Sequence, residues 1–183
     1  MKFLRQNLFY IIATAIIAVL YLFPSVKLKI KDLLFPVAAI ENAITLQDSD
    51  LDVQLKGINV ASTNLKNFKG NKLIFLNFWG TWCPPCREEW PTIQKLYETK
   101  KDKVDFVLIA MQDEEAAVVK FLKENNYTVP VYIAQSPISN NVLPKVFPTT
   151  FLLDKNGRIL LKEDASKDWN SKSVHDFIDN VTK

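Results

Sequence analysis

The sequence predicts an α/β fold in which helices flank a mixed β-sheet. Residues 72–79 (KLIFLNFW) and 104–111 (VDFVLIAM) are apolar runs with the length and β-propensity of strands buried on both faces. A predicted helix follows each of them. Near the C-terminus, two further strands enclose the tight turn 154–157 (DKNG), and a last helical pattern closes the chain. Such elements form a mixed sheet with helices on both faces.

Length and composition fit one folded domain and exclude several functions. Of the 183 residues, about 140 remain after an unusual N-terminus, which is the commonest domain size. Apolar residues make up 48%, enough for a hydrophobic core. Acidic and basic residues are interspersed around a net charge of +3, which indicates no nucleic-acid partner. With four glycines in total, a phosphate-binding glycine loop is not expected.

The first 26 residues form a segment of a different kind. Residues 6–26 carry no charge, and residues 8–23 are apolar apart from Thr14. As a helix, this uncharged segment would span about 30 Å, the thickness of a bilayer core. We therefore expect residues 1–26 to be one retained transmembrane helix. A cleaved signal peptide is the alternative, although no small-x-small cleavage pattern follows Leu20.

The residues that flank this segment leave its orientation open. Lys2 and Arg5 precede it, and lysines at 27, 29 and 31 follow it, so the positive-inside rule favours neither side. Residues 27–44 contain an apolar run that is too short to cross a membrane, and we expect them to be a linker. The folded domain is then predicted to cover residues 45–183.

Short strands and a helical turn open this domain. Residues 51–55 (LDVQL) alternate between apolar and polar side chains, and residues 58–60 (INV) follow a turn, so the two stretches are predicted to pair. Residues 65–71 (LKNFKGN) predict a helical turn that ends at Gly70. The first buried strand follows directly.

Three helices are predicted after that strand. The first covers residues 84–100, and the second covers residues 114–126 with Asp113 as its N-cap. The third covers residues 169–181 and has one apolar face. Strand 149–153 begins the C-terminal hairpin, and its antiparallel return is residues 158–162 (RILLK). Between the second helix and this hairpin, Pro130 and Pro137 indicate irregular connections.

The two cysteines of the chain lie in the stretch FWGTWCPPCREEWP (residues 78–91) and are separated by two prolines. A structural zinc site needs four ligands, and the chain offers only one further candidate, the distant His175, which we expect on a helix surface. Haem attachment needs a histidine where Arg87 stands. A structural bridge this short would remove little entropy from the unfolded chain. The pattern predicts a redox couple without a metal or other cofactor.

The position of the cysteines supports redox chemistry. Cys83 is expected at the start of a helix, where unpaired amides and the helix dipole stabilise a thiolate. Cys86 lies one turn further on, so it can resolve a mixed disulfide formed by Cys83. Pro84 and Pro85 are tolerated in a first helical turn, but they remove two amide donors. We therefore expect a couple biased toward reducing its partners.

Two motifs in this order resemble a known family. FWGTWCPPCREEWP, followed by VFPTTFLLDKNGRI (residues 146–159), is similar to the thioredoxin superfamily, and more narrowly to the membrane-tethered TlpA/ResA-type thiol-disulfide oxidoreductases. The resemblance runs from about Leu51 to the C-terminus and implies a thioredoxin-like fold. The N-terminal anchor agrees with that family in kind but not in detectable sequence.

The resemblance assigns roles to the matching positions. Cys83 is the exposed nucleophile and Cys86 the buried resolving thiol. Pro148 matches a cis-proline that lies beside the cysteines and leaves neighbouring backbone free to pair with an extended substrate. Pro91 matches a proline that kinks the active-site helix. The expected substrate-binding residues are Trp82, Phe147, Pro148 and Thr149.

Two positions differ from ordinary thioredoxins. Asn77 stands where they carry a buried aspartate that helps to move the proton of the resolving cysteine. TlpA/ResA-like proteins commonly have instead a glutamate three residues after the second cysteine, which here is Glu89. Residues three apart share a helix face, so Glu89 is expected to accept the proton of Cys86. A surface charge that merely interacts with the helix dipole is the alternative for Glu89.

The resemblance implies a reductase tethered to the inner membrane by one helix, with its domain on the periplasmic side. Its clients would be exported proteins with disulfides, such as apocytochromes c or copper-site cysteines of a respiratory oxidase. A membrane protein of the CcdA/DsbD type would supply electrons. Three alternatives remain: an oxidase or isomerase with the same chemistry, a copper-delivery module and a non-catalytic chaperone.

Overall fold

The computed structural model of the protein describes residues 2–23, 26, 30, 34 and 44–183. Its first helix, α1 (Lys2–Leu22), covers most of the segment predicted as a membrane anchor. Within the described ranges, no helix is both long and apolar enough to cross a membrane. The predicted linker, residues 27–44, lies outside the described residues except at positions 30, 34 and 44.

A single mixed sheet of seven strands forms the centre of the domain. In chain order the strands are β1 (Gln54–Gly57), β2 (Thr63–Asn64), β3 (Leu73–Trp79), β4 (Val104–Ala110), β5 (Val131–Ala134), β6 (Thr149–Leu153) and β7 (Ile159–Glu163). They lie side by side in the order β2-β1-β5-β4-β3-β6-β7. β4 pairs in parallel with β3 and β5, and the other neighbours are antiparallel. The predicted α/β class with a mixed sheet is confirmed.

Three helices and one short 3₁₀ helix complete the domain. They are the 3₁₀ helix Leu65–Phe68, α2 (Pro84–Lys100), α3 (Glu115–Asn125) and α4 (Lys172–Val181). α2 begins at the predicted residue because Pro84 and Pro85 occupy its first turn, where their missing amides have no intrahelical partner. Pro91 lies inside this helix.

Strand β3, in the interior of the sheet, contributes to a hydrophobic core on each face. All seven of its residues are buried, as predicted for a strand covered on both sides. Leu73, Phe75 and Trp79 belong to the cluster that contains both cysteines and apolar residues of α2, α3 and α4. Asn77 lies two residues from both Phe75 and Trp79, so its polar side chain points to the same face of the sheet as theirs, the face covered by the helices. The intervening apolar residues of β3 belong to a second cluster on the opposite face.

The prediction for residues 58–60 is wrong. β1 pairs with β2 and β5, and residues 58–60 form a bend between β1 and β2. At Gly57 a Cβ atom would lie 2.0 Å from the backbone oxygen of Val60, so the chain folds back too closely there to continue into an extended hairpin.

Strands β2 and β5 were not predicted, and the last helix begins later than predicted. Residues after Pro130 form β5, because a proline just before a strand removes no amide that the strand itself needs. The last helix begins at Lys172 rather than Trp169. Asp168 accepts the amide of Asn170 through its side chain, which stabilises a turn before the helix.

Asp113 is not the N-cap of α3, contrary to the prediction. The N-cap is Glu114, whose side chain makes no capping hydrogen bond. The carboxylate of Asp113 instead accepts hydrogen bonds from the backbone amide and the hydroxyl of Thr81. It therefore connects the end of β4 to the loop that precedes the cysteines.

The start of the domain lies at the end of the sheet opposite the cysteines. The amide of Leu46 donates to the carbonyl of Gly157, and the amide of Ile159 donates to that of Ile44. Ile159 pairs with Leu153, at the end of β6 that lies beside the first residues of β3. The length of β3, about 20 Å at the usual rise per residue, separates this point from the active-site loop.

Candidate active site

Both cysteines lie where β3 ends and α2 begins. Cys83 is the N-cap of α2 in an extended backbone conformation, and Cys86 is buried on the first turn. The two residues form a disulfide with Cα atoms 5.3 Å apart. The amide of Cys86 donates to the Sγ atom of Cys83 at 3.3 Å. Since Pro84 and Pro85 have no amide hydrogen, neither can add a donor to this sulfur.

Neither cysteine is widely open to solvent in this disulfide form. Cys83 is 3% exposed and Cys86 is 0% exposed. The expectation of an exposed Cys83 is therefore wrong for the oxidised protein, in which Cys83 is bonded to Cys86 and belongs to the helix-side core cluster. Of the two residues, Cys83 is still the more accessible.

Trp82 forms a half-exposed aromatic surface next to the disulfide. Its side chain is 49% exposed, and its indole Nε1 donates to the carbonyl of Met111 at 3.0 Å. The indole lies against Gly80, where a Cβ atom would be 2.5 Å from Nε1. The ring also makes an edge-to-face contact with Phe147, with centroids 5.4 Å apart. Trp82 is thus held on three sides.

Pro148 lies at the same end of the sheet. The peptide bond between Phe147 and Pro148 is cis, as the family resemblance implies. β6 begins at the next residue, Thr149, which is opposite Phe78 near the end of β3. The contact between Phe147 and Trp82 joins this loop to the residue before Cys83. Residues far apart in sequence therefore meet beside the disulfide.

The side chain of Thr149 faces inward. It is 0% exposed, and its hydroxyl bonds to Asp164 Oδ1 and to the carbonyl of Val146. Burial by itself would raise the pKa of Asp164, but hydrogen bonds from Lys162 and Thr149 outweigh it and lower that pKa. The hydroxyl of Thr149 is therefore bonded within the protein, and its backbone pairs with Phe78 of β3.

Glu89 is completely buried one turn after Cys86. It is 0% exposed, and its Oε1 atom accepts a hydrogen bond from Asn77 Nδ2 at 3.1 Å. Its Oε2 atom accepts from Trp169 Nε1 at 2.8 Å and from the amide of Lys167 at 3.2 Å. The alternative of a surface charge is wrong, because a carboxylate in the core needs such donors to offset its lost hydration.

Asn77 connects this carboxylate to β6. Its Nδ2 atom also donates to Thr150 Oγ1 at 2.8 Å, and Thr150 is its partner in the strand register. Its Oδ1 atom is buried, and within the described part of the chain it has no hydrogen-bond partner. The amide therefore uses both of its N–H groups while its acceptor stays unpaired.

Several residues around the site were not found from the sequence. Trp169, Lys167, Met111 and Asp113 reach the site from loops that no motif marked. Trp169 is 80 residues away from Glu89 in the chain, and no local pattern reports such a contact. Among the described residues, no three histidine, cysteine or acidic side chains are grouped so that they could hold a metal ion.

Comparison with known proteins agrees with this geometry. The sequence profile described as Redoxin matches residues 45–177. The chain belongs to the Redoxin family. Among curated relatives, the thiol-disulfide oxidoreductase ResA of Geobacillus kaustophilus is 32% identical over 136 residues, which cover 69% of this chain and 78% of that protein. ResA of Bacillus thuringiensis subsp. konkukian is 34% identical over 122 residues, covering 64% of this chain and 68% of that protein.

Solved structures share the fold of this Redoxin-family protein. A thiol:disulfide interchange protein from Bacteroides sp. is 26% identical with a TM-score of 0.59, covering 69% of this chain and 86% of that one. StoA from Bacillus subtilis, at 24% identity and a TM-score of 0.54, covers 77% of this chain and 97% of that one. The protein is thus a thiol-disulfide oxidoreductase with a thioredoxin-like fold, and it is related to ResA.

Proposed function

We propose that this Redoxin-family protein reduces disulfides of exported proteins through the Cys83–Cys86 pair. The observation that carries the proposal is the meeting of three features at one end of the sheet. They are a cysteine pair at a helix N-terminus, a half-exposed Trp82 beside it, and the Pro148 loop in contact with Trp82. This arrangement offers an electron source and a surface for a polypeptide together.

Two exchange steps transfer the electrons. In the reduced protein, the Cys83 thiolate attacks a client disulfide, which breaks as a Cys83–client bond forms and one client sulfur leaves as a thiolate. Cys86 then loses its proton and attacks Cys83 Sγ. This step forms the Cys83–Cys86 disulfide and releases the second client sulfur as a thiolate. The protein loses two electrons and the client disulfide gains them.

Glu89 is proposed as the group that accepts the proton of Cys86. Ideal helix geometry puts the Cβ atoms of residues three apart at about 5–6 Å, so the two side chains are neighbours on α2. Both are fully buried, which makes water a poor proton acceptor here. The Cys86 proton therefore has a nearby carboxylate to receive it.

Apolar side chains beside the disulfide are proposed to receive the client. Trp82 is 49% and Val146 47% exposed, and Phe147, the residue after Val146, contacts the Trp82 ring. β6 pairs with its neighbours only from Thr149 onward. The backbone of residues 146–148 can then pair with an extended client segment whose apolar side chains rest on Trp82.

The first turn of α2 supports the proposed electron flow toward the client. A thiolate at a helix N-terminus is stabilised by backbone amides, and a strongly stabilised thiolate makes a couple oxidising. Here Pro84 and Pro85 supply no amide hydrogen, and the amide of Cys86 contacts Cys83 Sγ at 3.3 Å. The limited stabilisation favours a reductase over the oxidase or isomerase alternative.

Location and partners are proposed from the sequence. Residues 1–26 form a single-pass anchor in the inner membrane, residues 27–44 form a linker, and residues 45–183 form the domain on the periplasmic side. The domain starts at the end of the sheet remote from the cysteines, which leaves the active site free to face clients. Clients would include apocytochromes c or copper-site cysteines, and a membrane protein of the CcdA/DsbD type would return electrons.

Trapping of clients in cells tests the proposal. In the Cys86→Ser variant, Cys83 attacks a client but the mixed disulfide cannot be resolved, so reducible adducts with exported proteins should accumulate. The double variant Cys83→Ser/Cys86→Ser is the control and should give none. If the double variant, which has no cysteine, instead binds the same exported proteins non-covalently to an equal extent, the protein is a chaperone or binding module rather than a reductase.

Membrane orientation has its own test. A cysteine-free tag at the C-terminus of the full chain should be accessible to protease in cells whose outer membrane has been opened. Protection of the tag until the inner membrane is disrupted would place the domain in the cytoplasm and contradict the proposed location.

A further inference from the structure

The buried carboxylate of Glu89 is surrounded by more hydrogen-bond donors than thiol-disulfide exchange alone requires. Three donors converge on its carboxylate from two separate parts of the chain. Asn77 comes from β3, while Trp169 and the amide of Lys167 come from the segment before α4. The shortest of the three hydrogen bonds, at 2.8 Å, comes from the indole of Trp169.

The segment that supplies Trp169 is fixed to α2 by a second set of hydrogen bonds. The amide of Trp169 donates to Thr92 Oγ1 at 3.1 Å, and that hydroxyl lies 3.4 Å from the carbonyl of Lys167. The Trp169 ring is 0% exposed and makes an edge-to-face contact with Phe75, at 4.9 Å between centroids. The indole N–H is therefore held in one place relative to Glu89.

The orientation of the Asn77 amide favours the ionised carboxylate. A buried carbonyl oxygen without a partner is costly, yet Asn77 leaves Oδ1 unpaired and presents N–H groups to Glu89 and Thr150. Indole and amide N–H groups can only donate, so each of them stabilises a carboxylate oxygen. All three donors thus favour the form of Glu89 that can accept a proton.

From this geometry we propose that Trp169 is a positioning residue for the resolving step. Its N–H keeps Glu89 ionised and oriented until Cys86 gives up its proton. The proton then passes from the Cys86 thiol to Glu89, and the Cys86 thiolate attacks Cys83 Sγ in the mixed disulfide, releasing the client thiolate. The inference rests on the proposed role of Glu89 as the acceptor.

Substitution of Trp169 by phenylalanine changes no ionisable side chain. β3 and β6 contribute no ionisable side chain, since Asn77 and Thr150 are neutral. The ionisable groups closest to Glu89 in the chain, or on the segment that contacts it, are Cys86, Arg87, Glu88, Lys167 and Asp168. Replacing Trp169 by phenylalanine removes one N–H and leaves all of these charges in place.

Stopped-flow reaction of the reduced full-length protein, in detergent micelles, with 5,5′-dithiobis(2-nitrobenzoate) separates the two steps. The first thionitrobenzoate anion is released when Cys83 attacks the reagent, and the second when Cys86 resolves the mixed disulfide. Since only the second release requires the Cys86 proton to move, its rate as a function of pH reports on Glu89.

Trp169→Phe should leave the first release unchanged and slow the second about tenfold at neutral pH, because a hydrogen bond to a charged group is lost. The rate of the second release should recover at higher pH. The pH at which this rate falls to half on acidification, the midpoint of the acid limb, should therefore move upward.

Trp90→Phe is the matched control. Trp90 is also a fully buried tryptophan, but within the described residues its indole N–H has no hydrogen-bond partner. Its pH profile should match the wild type.

The outcomes separate this inference from the proposed function. If Glu89→Gln retains the wild-type pH profile, Glu89 is not the acceptor, and the proposed proton step fails. If Glu89→Gln loses the acid limb while Trp169→Phe keeps the wild-type midpoint, only the role of Trp169 is contradicted. Equal slowing of both releases, with no change of midpoint, would also overturn it in favour of a structural role.

A second variant covers the case in which Trp169→Phe does not fold. Thr92→Val keeps every aromatic ring but removes the hydroxyl that accepts the Trp169 amide and donates to the backbone carbonyl of Glu89 at 2.7 Å. It should shift the acid limb of the second release in the same direction by a smaller amount. An unchanged midpoint in a folded Thr92→Val protein would count against the inference.

Discussion

The carboxylate of Asp113 binds both polar hydrogens of Thr81, the backbone amide and the hydroxyl, with Oδ1 2.8 Å from Oγ1. Two residues before Asp113, the carbonyl of Met111 accepts the indole N–H of Trp82. Gln112 between them has φ 50°, a left-handed conformation that is unfavourable for a residue with a side chain. The loop after β4 thus holds the two residues that precede Cys83.

Asp113→Ala should destabilise the oxidised protein by about 1–2 kcal/mol, because the Thr81 amide and hydroxyl lose a charged acceptor. Reduction of protein disulfides should also slow several-fold, since the loop carrying Trp82 becomes less well fixed. Denaturant unfolding and an insulin-reduction assay measure the two effects. Glu114→Ala is the control, since this exposed neighbour makes no capping hydrogen bond through its side chain. Equal effects in both variants would contradict the role assigned to Asp113.

Gly80→Ala should impair the recognition of clients more than the chemistry of the cysteines. The added Cβ atom would lie 2.5 Å from Trp82 Nε1 and 2.7 Å from its Cε2, so the indole must leave the position in which it contacts Phe147. We expect a severalfold increase in KM for a protein disulfide and little change in the reaction with a small aromatic disulfide. A parallel loss with both substrates would mean that the substitution disturbs the cysteine pair itself.

Stability at acid pH should depend on Asp179. Hydrogen bonds from Lys100 at 2.8 Å and Lys103 at 2.9 Å lower its pKa from the ordinary 3.8 to about 2. A pKa lowered by folding contributes stability that is complete above about pH 4 and is lost as the pH falls toward 2. These contacts join α4 to the end of α2, so their loss loosens the packing of the last helix.

Thermal unfolding between about pH 5 and about pH 2 measures this contribution. At about pH 5 the Asp179→Asn variant should unfold at a lower temperature than the wild type. On acidification, its unfolding temperature should fall by less than that of the wild type. Asp176→Asn is the control, because the salt bridge of Asp176 with Lys172 stays within α4. The same pH dependence in the wild type and Asp179→Asn would rule out the proposed contribution.

Local sequence patterns predicted the elements that are marked by their own residues and do not depend on distant pairing partners. β3, β4, β6 and α2 were predicted to within a residue or two, because continuous apolar runs and a proline pair mark them. β5 was missed because a four-residue strand after Pro130 is too short for an alternation of apolar and polar side chains to be recognised. Its place between β1 and β4 is decided by pairing partners distant in the chain.

The candidate site was predictable only in part for the same reason. The cysteines and Glu89 lie in one motif, and Pro148 lies in a second motif that resembles a known family. The contacts of Trp169 with Glu89 and of Asp113 with Thr81 join residues 80 and 32 positions apart. Such contacts follow from the packing of loops on the finished fold, which composition and periodicity do not encode.

The equilibrium reduction potential of the full-length protein tests the central claim of the proposed function most directly. Measured in defined thiol buffers at neutral pH, it should be near or below that of thioredoxin, about −270 mV, since Pro84 and Pro85 limit the stabilisation of the Cys83 thiolate. A value near about −120 mV, like that of the strong oxidant DsbA, would contradict electron flow toward the client and make disulfide formation the better account.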